Sequence, residues 1–223
     1  MAADSNVNLS PKTKKGIYLA VGCLVCFSIF IAVSIVYRVN QPRIMMPEEL
    51  KINGAYMFDV PRTFKSFVLT DHKGQAFLPA NFKGKWSLVF FGFTHCPDVC
   101  PTTMMLLNQF MERLAELGDD KGTQVVMVTV DPARDTVEKL AEYVPYFNPK
   151  FIGVTGNFLT IHRFASQLST PFRKVIGEDG GYQVEHGGNI ALINPKGDYH
   201  GFFKSPFEIA KLLVTYPSVK AVF

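Results

Sequence analysis

The chain has 223 residues, 48% of them hydrophobic and 19% charged, and a formal charge of +4. That length suits one domain of roughly 100 to 200 residues with an appendage, and it excludes a second large domain. The apolar content excludes a disordered chain, and Lys and Arg are scattered apart from three lysines ahead of the first apolar run, so nucleic-acid binding gains no support.

Gly16 to Tyr37 is a run of 22 uncharged residues, GIYLAVGCLVCFSIFIAVSIVY. At about 1.5 Å per residue it can cross a hydrocarbon core of roughly 30 Å, so a single membrane anchor is predicted over 16–37. Lys12, Lys14 and Lys15 precede the run and Arg38 and Arg43 follow it. The positive-inside rule then places residues 1–15 in the cytoplasm and the body outside. A cleaved signal peptide competes with this reading, but the run exceeds the usual apolar region of roughly 7 to 15 residues and ends without a clear small-x-small site. LAVGC is a poor lipoprotein box, since a cut before Cys23 leaves a long apolar run behind. The first 15 residues contain Asp4 and no Arg, unlike an Arg-rich mitochondrial segment. The expected location is a bacterial inner membrane, single-pass, with the soluble domain in the periplasm.

Residues 38–58 carry Pro42 and Pro47 and show no sustained period, so a tether is predicted there, with the domain occupying 59–223. SFVLTDHKGQAF predicts a hairpin at a sheet edge. WSLVFFGF (86–93) is a continuous apolar run of strand length, of the kind buried on both faces of a central sheet. Leu107, Phe110, Met111, Leu114 and Leu117 then fall at helical spacing before Gly118. QVVMVTV (124–130) predicts a second buried strand. Asp135 and Glu138 stand at cap-like spacing before a helix carrying Val137, Leu140, Ala141 and Val144 and ending near Pro145. FIGVTG reads as a strand and NFLTIHRFASQL as a helix with Phe158, Ile161, Ala165 and Leu168 on one face. A hairpin of FRKV and YQVE around EDGG, strands NIALIN and YHGFF, and a helix from about Pro206 to Tyr216 complete the chain. This alternation is an α/β, thioredoxin-like plan with an N-terminal transmembrane helix.

Cys23 and Cys26 lie in the apolar run and read as small apolar fillers, which leaves Cys96 and Cys100 as the two cysteines of the body. One pair makes no disulfide scaffold, so these two read as chemical residues. They sit in FTHCPDVCP, where a buried strand hands over to a helix beginning near Pro101. A helix N-terminus favours thiolate over thiol, which makes a nucleophile or a metal ligand. Two sulfurs four residues apart suit either a disulfide or one soft metal. A neutral imidazole as third ligand would accommodate copper(I), copper(II) or zinc. His186, in VEHGGN before a predicted central strand, is the candidate. His95 reads as a supporting neighbour of Cys96, His162 as a boundary residue, and His72 and His200 have no assigned role. Asp98 reads as a solvated turn residue or a tuning charge. Asp135 reads as a helix cap, whereas Asp131 is a candidate to contact the cysteine turn, and Arg134 shares their strand end, an edge where α/β ligands bind.

With CPDVCP after one apolar strand, VDPARDT after the next, and a histidine before NIALINPKG, the body over about 59–217 resembles the Sco/SenC family. Gly187 and Gly188 depart from its pattern, which more often has bulkier residues there. The resemblance implies a copper metallochaperone that delivers copper to, or assembles, the binuclear copper centre of cytochrome c oxidase, with Cys96, Cys100 and His186 as copper ligands and Asp131 in the place of the family's VDP aspartate. It implies as partners the copper-bearing subunit of the oxidase and a thioredoxin-like reductant. The competing function is a thiol-disulfide oxidoreductase acting through Cys96 and Cys100 on the cysteines of the acceptor site. A peroxidase on the same fold ranks below both.

Overall fold

The computed structural model describes residues 11–39, 43–176 and 181–223. They fall into two compact units, one ending at Arg43 and one spanning Ile44–Phe223. In the first, helix α1 (Pro11–Val39) contains the apolar run and buries none of its residues within the chain. It is long and apolar enough to cross a membrane.

The second unit is built on an eight-stranded sheet in the order β1-β10-β9-β4-β5-β6-β2-β3. Its centre is β4 (Trp86–Gly92), parallel to β5 (Thr123–Thr129) and antiparallel to β9 (Ile190–Ile193). Every residue of β4 is buried, as a continuous apolar run covered on both faces requires. Parallel β6 (Ile152–Thr155) and the short hairpin of β2 (Leu69–Asp71) and β3 (Ala76–Phe77) extend one side. Strand β10 (Tyr199–Phe203) and edge strand β1 (Ala55–Arg62) extend the other.

Helices α3 (Val99–Glu116), α4 (Val137–Phe147) and α6 (Ile209–Ala221) share one face of the sheet, with α3 packed between the others. Phe110 meets Tyr216 edge to face where α3 crosses α6. On the opposite face α5 (Phe158–Gln167) places Phe164 against Phe67, Phe82 and Phe91. Adjacent Phe90 points to the other side, since side chains alternate along a strand. Strands β7 (Phe172–Ile176) and β8 (Tyr182–His186) form a separate two-stranded sheet, Phe172 pairing with His186. Most of the expected EDGG turn between them lies outside the described residues.

Several boundaries differ from the sequence reading. Residues 47–58, expected as tether, form helix α2 (Pro47–Ile52) and the first half of β1, inside the unit that begins at Ile44. The prolines in and just after this stretch misled: Pro47 occupies the first turn of α2, where its missing N–H costs nothing, and Pro61 lies in an edge strand. Pro145 and Pro217 both sit inside helices rather than ending them. Leu117, expected on the core face, is 68% exposed because α3 stops at Glu116, while the core face extends back to buried Met104, one turn before Leu107. The N-cap of α4 is Thr136, whose hydroxyl accepts from the Lys139 N–H, and Asp135 is free for another task.

Candidate metal centre

The site forms where β4 ends and α3 begins. Gly92 closes β4, and a Cβ there would stand 2.6 Å from the Phe90 ring and 3.2 Å from Cys100 Sγ, so the backbone passes the cysteine at a distance only glycine allows. The chain then turns: the Cys96 N–H donates to Phe93 O at 3.2 Å, and the Cys100 N–H donates to Cys96 Sγ at 3.4 Å. The half-buried Cys96 precedes the helix, whereas Cys100 is fully buried in its first turn. Both are free thiols. Exposed Asp98, between them, takes only the Thr102 hydroxyl at 3.3 Å, as a solvated turn residue would.

His186, the last residue of β8, comes to the same point from 86 positions further along, its Nε2 standing 3.7 Å from Cys100 Sγ. Its Nδ1 lies 3.1 Å from Gly187 O. A carbonyl only accepts, so Nδ1 carries the hydrogen and Nε2 presents its lone pair to the sulfur side. Phe90 and Phe93 hold the ring edge to face at centroid distances of 6.1 and 6.0 Å. The two glycines after His186 let this segment settle: a Cβ on Gly187 would approach Thr170 to 3.2 Å.

Burial sets the electrostatics. It pulls His186 below the ordinary imidazole value, with the hydrogen bond to Gly187 partly opposing. It pushes the Cys100 thiol far up, helped by the hydrogen bond and charge of Cys96 and opposed by a backbone hydrogen bond from Phe93. The helix N-terminus therefore does not make Cys100 a ready thiolate, contrary to expectation. Desolvation outweighs the helix end in a fully buried position.

Two aspartates take roles other than those expected of them. Asp135, fully buried, accepts from the Thr94 N–H at 3.0 Å, the Thr94 hydroxyl at 2.6 Å and the Thr129 hydroxyl at 2.6 Å, and so pins the segment that leads into Cys96. Asp131 instead pairs with Arg134 and accepts the Tyr182 hydroxyl at 3.1 Å, tying β8 and its terminal histidine to the end of β5. The Arg134 guanidinium stacks over Tyr182 at 4.0 Å and lies 5.7 Å from the centre of Phe93. Sequence reasoning missed Thr94, Thr129, Tyr182 and the two phenylalanines. Only Thr94 carried a signal, its place two residues before Cys96.

The other histidines lie apart or play supporting parts. His95 is 49% exposed, with Nδ1 3.1 Å from the Thr94 hydroxyl and 3.9 Å from Asp135. His72 accepts from the Gly153 N–H, His162 packs on Phe158 and Phe172, and His200 on Trp86 and Phe223.

Among the described residues no three His, Cys, Asp or Glu side chains already form a closed ligand set. Cys100 and His186 nevertheless stand at the separation that two donors on one small soft cation adopt. Metal–sulfur and metal–nitrogen bonds of about 2.3 and 2.0 Å at tetrahedral to trigonal angles put the donors roughly 3.5 to 3.8 Å apart. Cys96 Sγ stands beside them, accepting the Cys100 N–H at 3.4 Å.

Known proteins similar to this chain give this geometry its context. A protein of Stutzerimonas stutzeri, named only provisionally as copper-binding, is 35% identical over 181 residues, covering 80% of this chain and 88% of its own. The human protein SCO2 homolog, mitochondrial, is 40% identical over 152 residues, which are 65% of this chain but only 56% of the human one, so the chain spans little more than half of that relative. The crystal structure of Arabidopsis thaliana ScoI with copper bound superposes with a TM-score of 0.65 at 31% identity, over 71% of this chain and 97% of that one. The family model described as SCO1/SenC matches residues 58–216, from within β1 to within α6 and including the cysteine turn, and the chain belongs to that family.

Proposed function

We propose that the chain carries copper as cargo, held by Cys96, Cys100 and His186, and passes it to a copper-bearing subunit of cytochrome c oxidase. The observation that carries this reading is the 3.7 Å approach of His186 Nε2 to Cys100 Sγ across 86 residues of sequence. Thiol chemistry alone needs no imidazole facing the pair. Two sulfurs and a neutral nitrogen suit copper(I) and tolerate copper(II), so the same three groups can keep the ion through a change of oxidation state. Relatives whose names and structures refer to copper support the assignment.

The cargo is held by groups that differ in access. Cys96 and His186 are both half-buried and open to an incoming donor of the acceptor, while Cys100 lies fully buried behind them. Copper loading requires the Cys100 proton to leave, so binding strengthens as pH rises. Helix α1 suits a membrane anchor, and the lysines ahead of it with two arginines behind favour a cytoplasmic N-terminus and a periplasmic domain on a bacterial inner membrane.

The contrast between an accessible and a buried thiol also favours a second reading. The Cys96 thiolate attacks a disulfide in the acceptor site to form a mixed disulfide. The Cys100 thiolate then displaces the acceptor cysteine, leaving the acceptor reduced by two electrons and a Cys96–Cys100 disulfide for a thioredoxin-like reductant to restore. Copper and disulfide use the same sulfurs and exclude each other.

The test uses the full chain in detergent, reduced and loaded with copper(I) anaerobically. Wild type should retain one copper per chain, and Cys96→Ser, Cys100→Ser and His186→Ala should each lose at least tenfold in affinity. Stoichiometric copper in all three variants would dismiss the proposal. Disulfide exchange that survives His186→Ala while copper is lost would separate the two activities.

A further inference from the structure

The metal centre sits at the C-terminal end of β4, beside Gly92, while Trp86, Thr123 and Ile152 open the parallel strands at the opposite end, the base of the sheet. Trp86 and Gly92 are about 20 Å apart at roughly 3.3 Å per residue. The turn from β9 to β10 reaches the base, since the Gly84 N–H donates to Pro195 O at 2.8 Å. Strand β1 ends there too, Arg62 pairing with Tyr199, which pairs with Ile193 beside Ser87. So does α6, whose Tyr216 hydroxyl lies 2.6 Å from the Thr123 hydroxyl.

The base combines apolar exposure with positive charge. Met45, Val222 and Phe223 line a groove of about 510 Å³. Met46 and Val60, each flanked by residues of the same groove, are 69% and 77% exposed. Apolar side chains gathered in this way mark an interaction face. Around them Arg62, Lys83, Lys85, Lys121 and Lys196 are exposed and form no ion pair among the described residues. Asp119 and Asp120 of the same end are taken by Lys220 at 2.6 Å and Lys150 at 4.0 Å. The carboxylates that remain around the groove are Glu48, Asp59 and Asp198, so positive charge is in excess.

The chain enters the folded unit at this base. The Met45 N–H donates to Ser218 Oγ at 2.7 Å, which pins the entry to the last turn of α6. Residues 40–43 alone separate Ile44 from the end of α1, and they span at most about 18 Å. With the apolar run of the anchor ending at Tyr37, that length keeps the base within reach of the lipid headgroups.

We propose that the base is a lipid-docking face, which rests on anionic headgroups beside the anchor with Met46, Val222 and Phe223 at the interface and the lysines on the phosphates. Apolar side chains at the boundary and cations above it act together on such a surface. The short link raises the effective concentration of lipid, so weak contacts suffice. Docked in this way, the unit holds its metal centre roughly 20 Å above the base and turned toward the aqueous side. The docking does not depend on the copper reading.

The experiment places single full chains in lipid nanodiscs and follows the acylation of each lysine by a water-soluble reagent with mass spectrometry. Discs of phosphatidylcholine are compared with discs of equal parts phosphatidylcholine and phosphatidylglycerol. Lys83, Lys85 and Lys196 should react about fivefold more slowly in the anionic discs, while Lys139, at the start of α4 and the other end of the sheet, should not change. Salt at about 1 M, where the Debye length is about 3 Å, should remove most of the difference. Lys196→Glu combined with Phe223→Ser should restore the rates of Lys83 and Lys85. Equal rates in the two kinds of disc, or protection shared by Lys139, would overturn the inference. So would protection found only in discs that carry two chains, which assigns the face to a second copy. Failure of the chain to insert would overturn it as well, because nothing would then hold the base at the surface.

Discussion

Asp135 offers a graded perturbation whose size follows from its contacts. Its carboxylate accepts three hydrogen bonds, two from Thr94 and one from Thr129, in a site with no exposure to solvent. Asp135→Ala leaves all three donors buried and unpaired at about 1–3 kcal/mol each, and partial relaxation brings the expected loss to about 3–5 kcal/mol. Asp135→Asn is different. An amide oxygen in place of Oδ2 still accepts from the Thr94 N–H and the Thr129 hydroxyl, and the amide nitrogen can donate to Thr94 Oγ1. The Thr94 hydroxyl then turns to His95 Nδ1, already 3.1 Å away. One bond is exchanged rather than three lost, so the expected cost is about 1–2 kcal/mol. At about 2–4 °C per kcal/mol for a domain of this size, the alanine variant should melt roughly 6–20 °C below wild type and the asparagine variant roughly 2–8 °C below. Calorimetry of the copper-free protein at pH 7 measures both. Equal, small losses for the two variants would refute the view that this aspartate is the anchor of the cysteine segment.

Gly92→Ala should cost about 1–3 kcal/mol by overpacking against Phe90 and Cys100 and should weaken copper binding, as read by urea unfolding and competition titration; a neutral effect on both would contradict the close approach. Tyr182→Phe removes the 3.1 Å tie to Asp131, so copper affinity should fall several-fold while the melting temperature changes by a few degrees at most, as expected for one hydrogen bond of about 0.5–1.5 kcal/mol. Burial lowers the His200 pKa, so the unfolded chain binds more protons below about pH 6.5 and stability falls as the pH drops through that value. His200→Phe, which keeps the packing on Trp86 and Phe223, should flatten the stability profile below about pH 6.5, and an unchanged slope would assign the acid sensitivity elsewhere.

The parts of the molecule legible in the sequence are those fixed by local pattern. An unbroken apolar run with aromatic residues has to be a central strand, and β4 is one. The handover from that strand to a helix marked the cysteine pair, and the glycines after His186 marked a segment in close approach to another. What stayed hidden depends on which loop faces which. Asp131 and Asp135 are four residues apart, and nothing local says that the first faces β8 and the second the cysteine turn. The same holds for Cys100: its place in the first turn of a helix is visible in the sequence, but the burial that dominates its chemistry comes from Phe90, Phe93 and His186, brought there by tertiary packing. The prolines misled because the residue type was legible and its setting was not. An edge strand or the first turn of a helix accepts a residue that a central element rejects.

The small sheet of β7 and β8 is not part of the hydrogen-bonded ladder of the large one. The imidazole at its end is held near the sulfurs by side chains: the Asp131–Arg134–Tyr182 cluster and the rings of Phe90 and Phe93. Parting nitrogen from sulfur therefore breaks no backbone rung of the main sheet but has to undo the largely buried Asp131 cluster and the packing on Phe90 and Phe93. A binding site assembled in this way has a built-in latch on one side only, and whatever loosens the Asp131 cluster opens it while the cysteine side stays rigid.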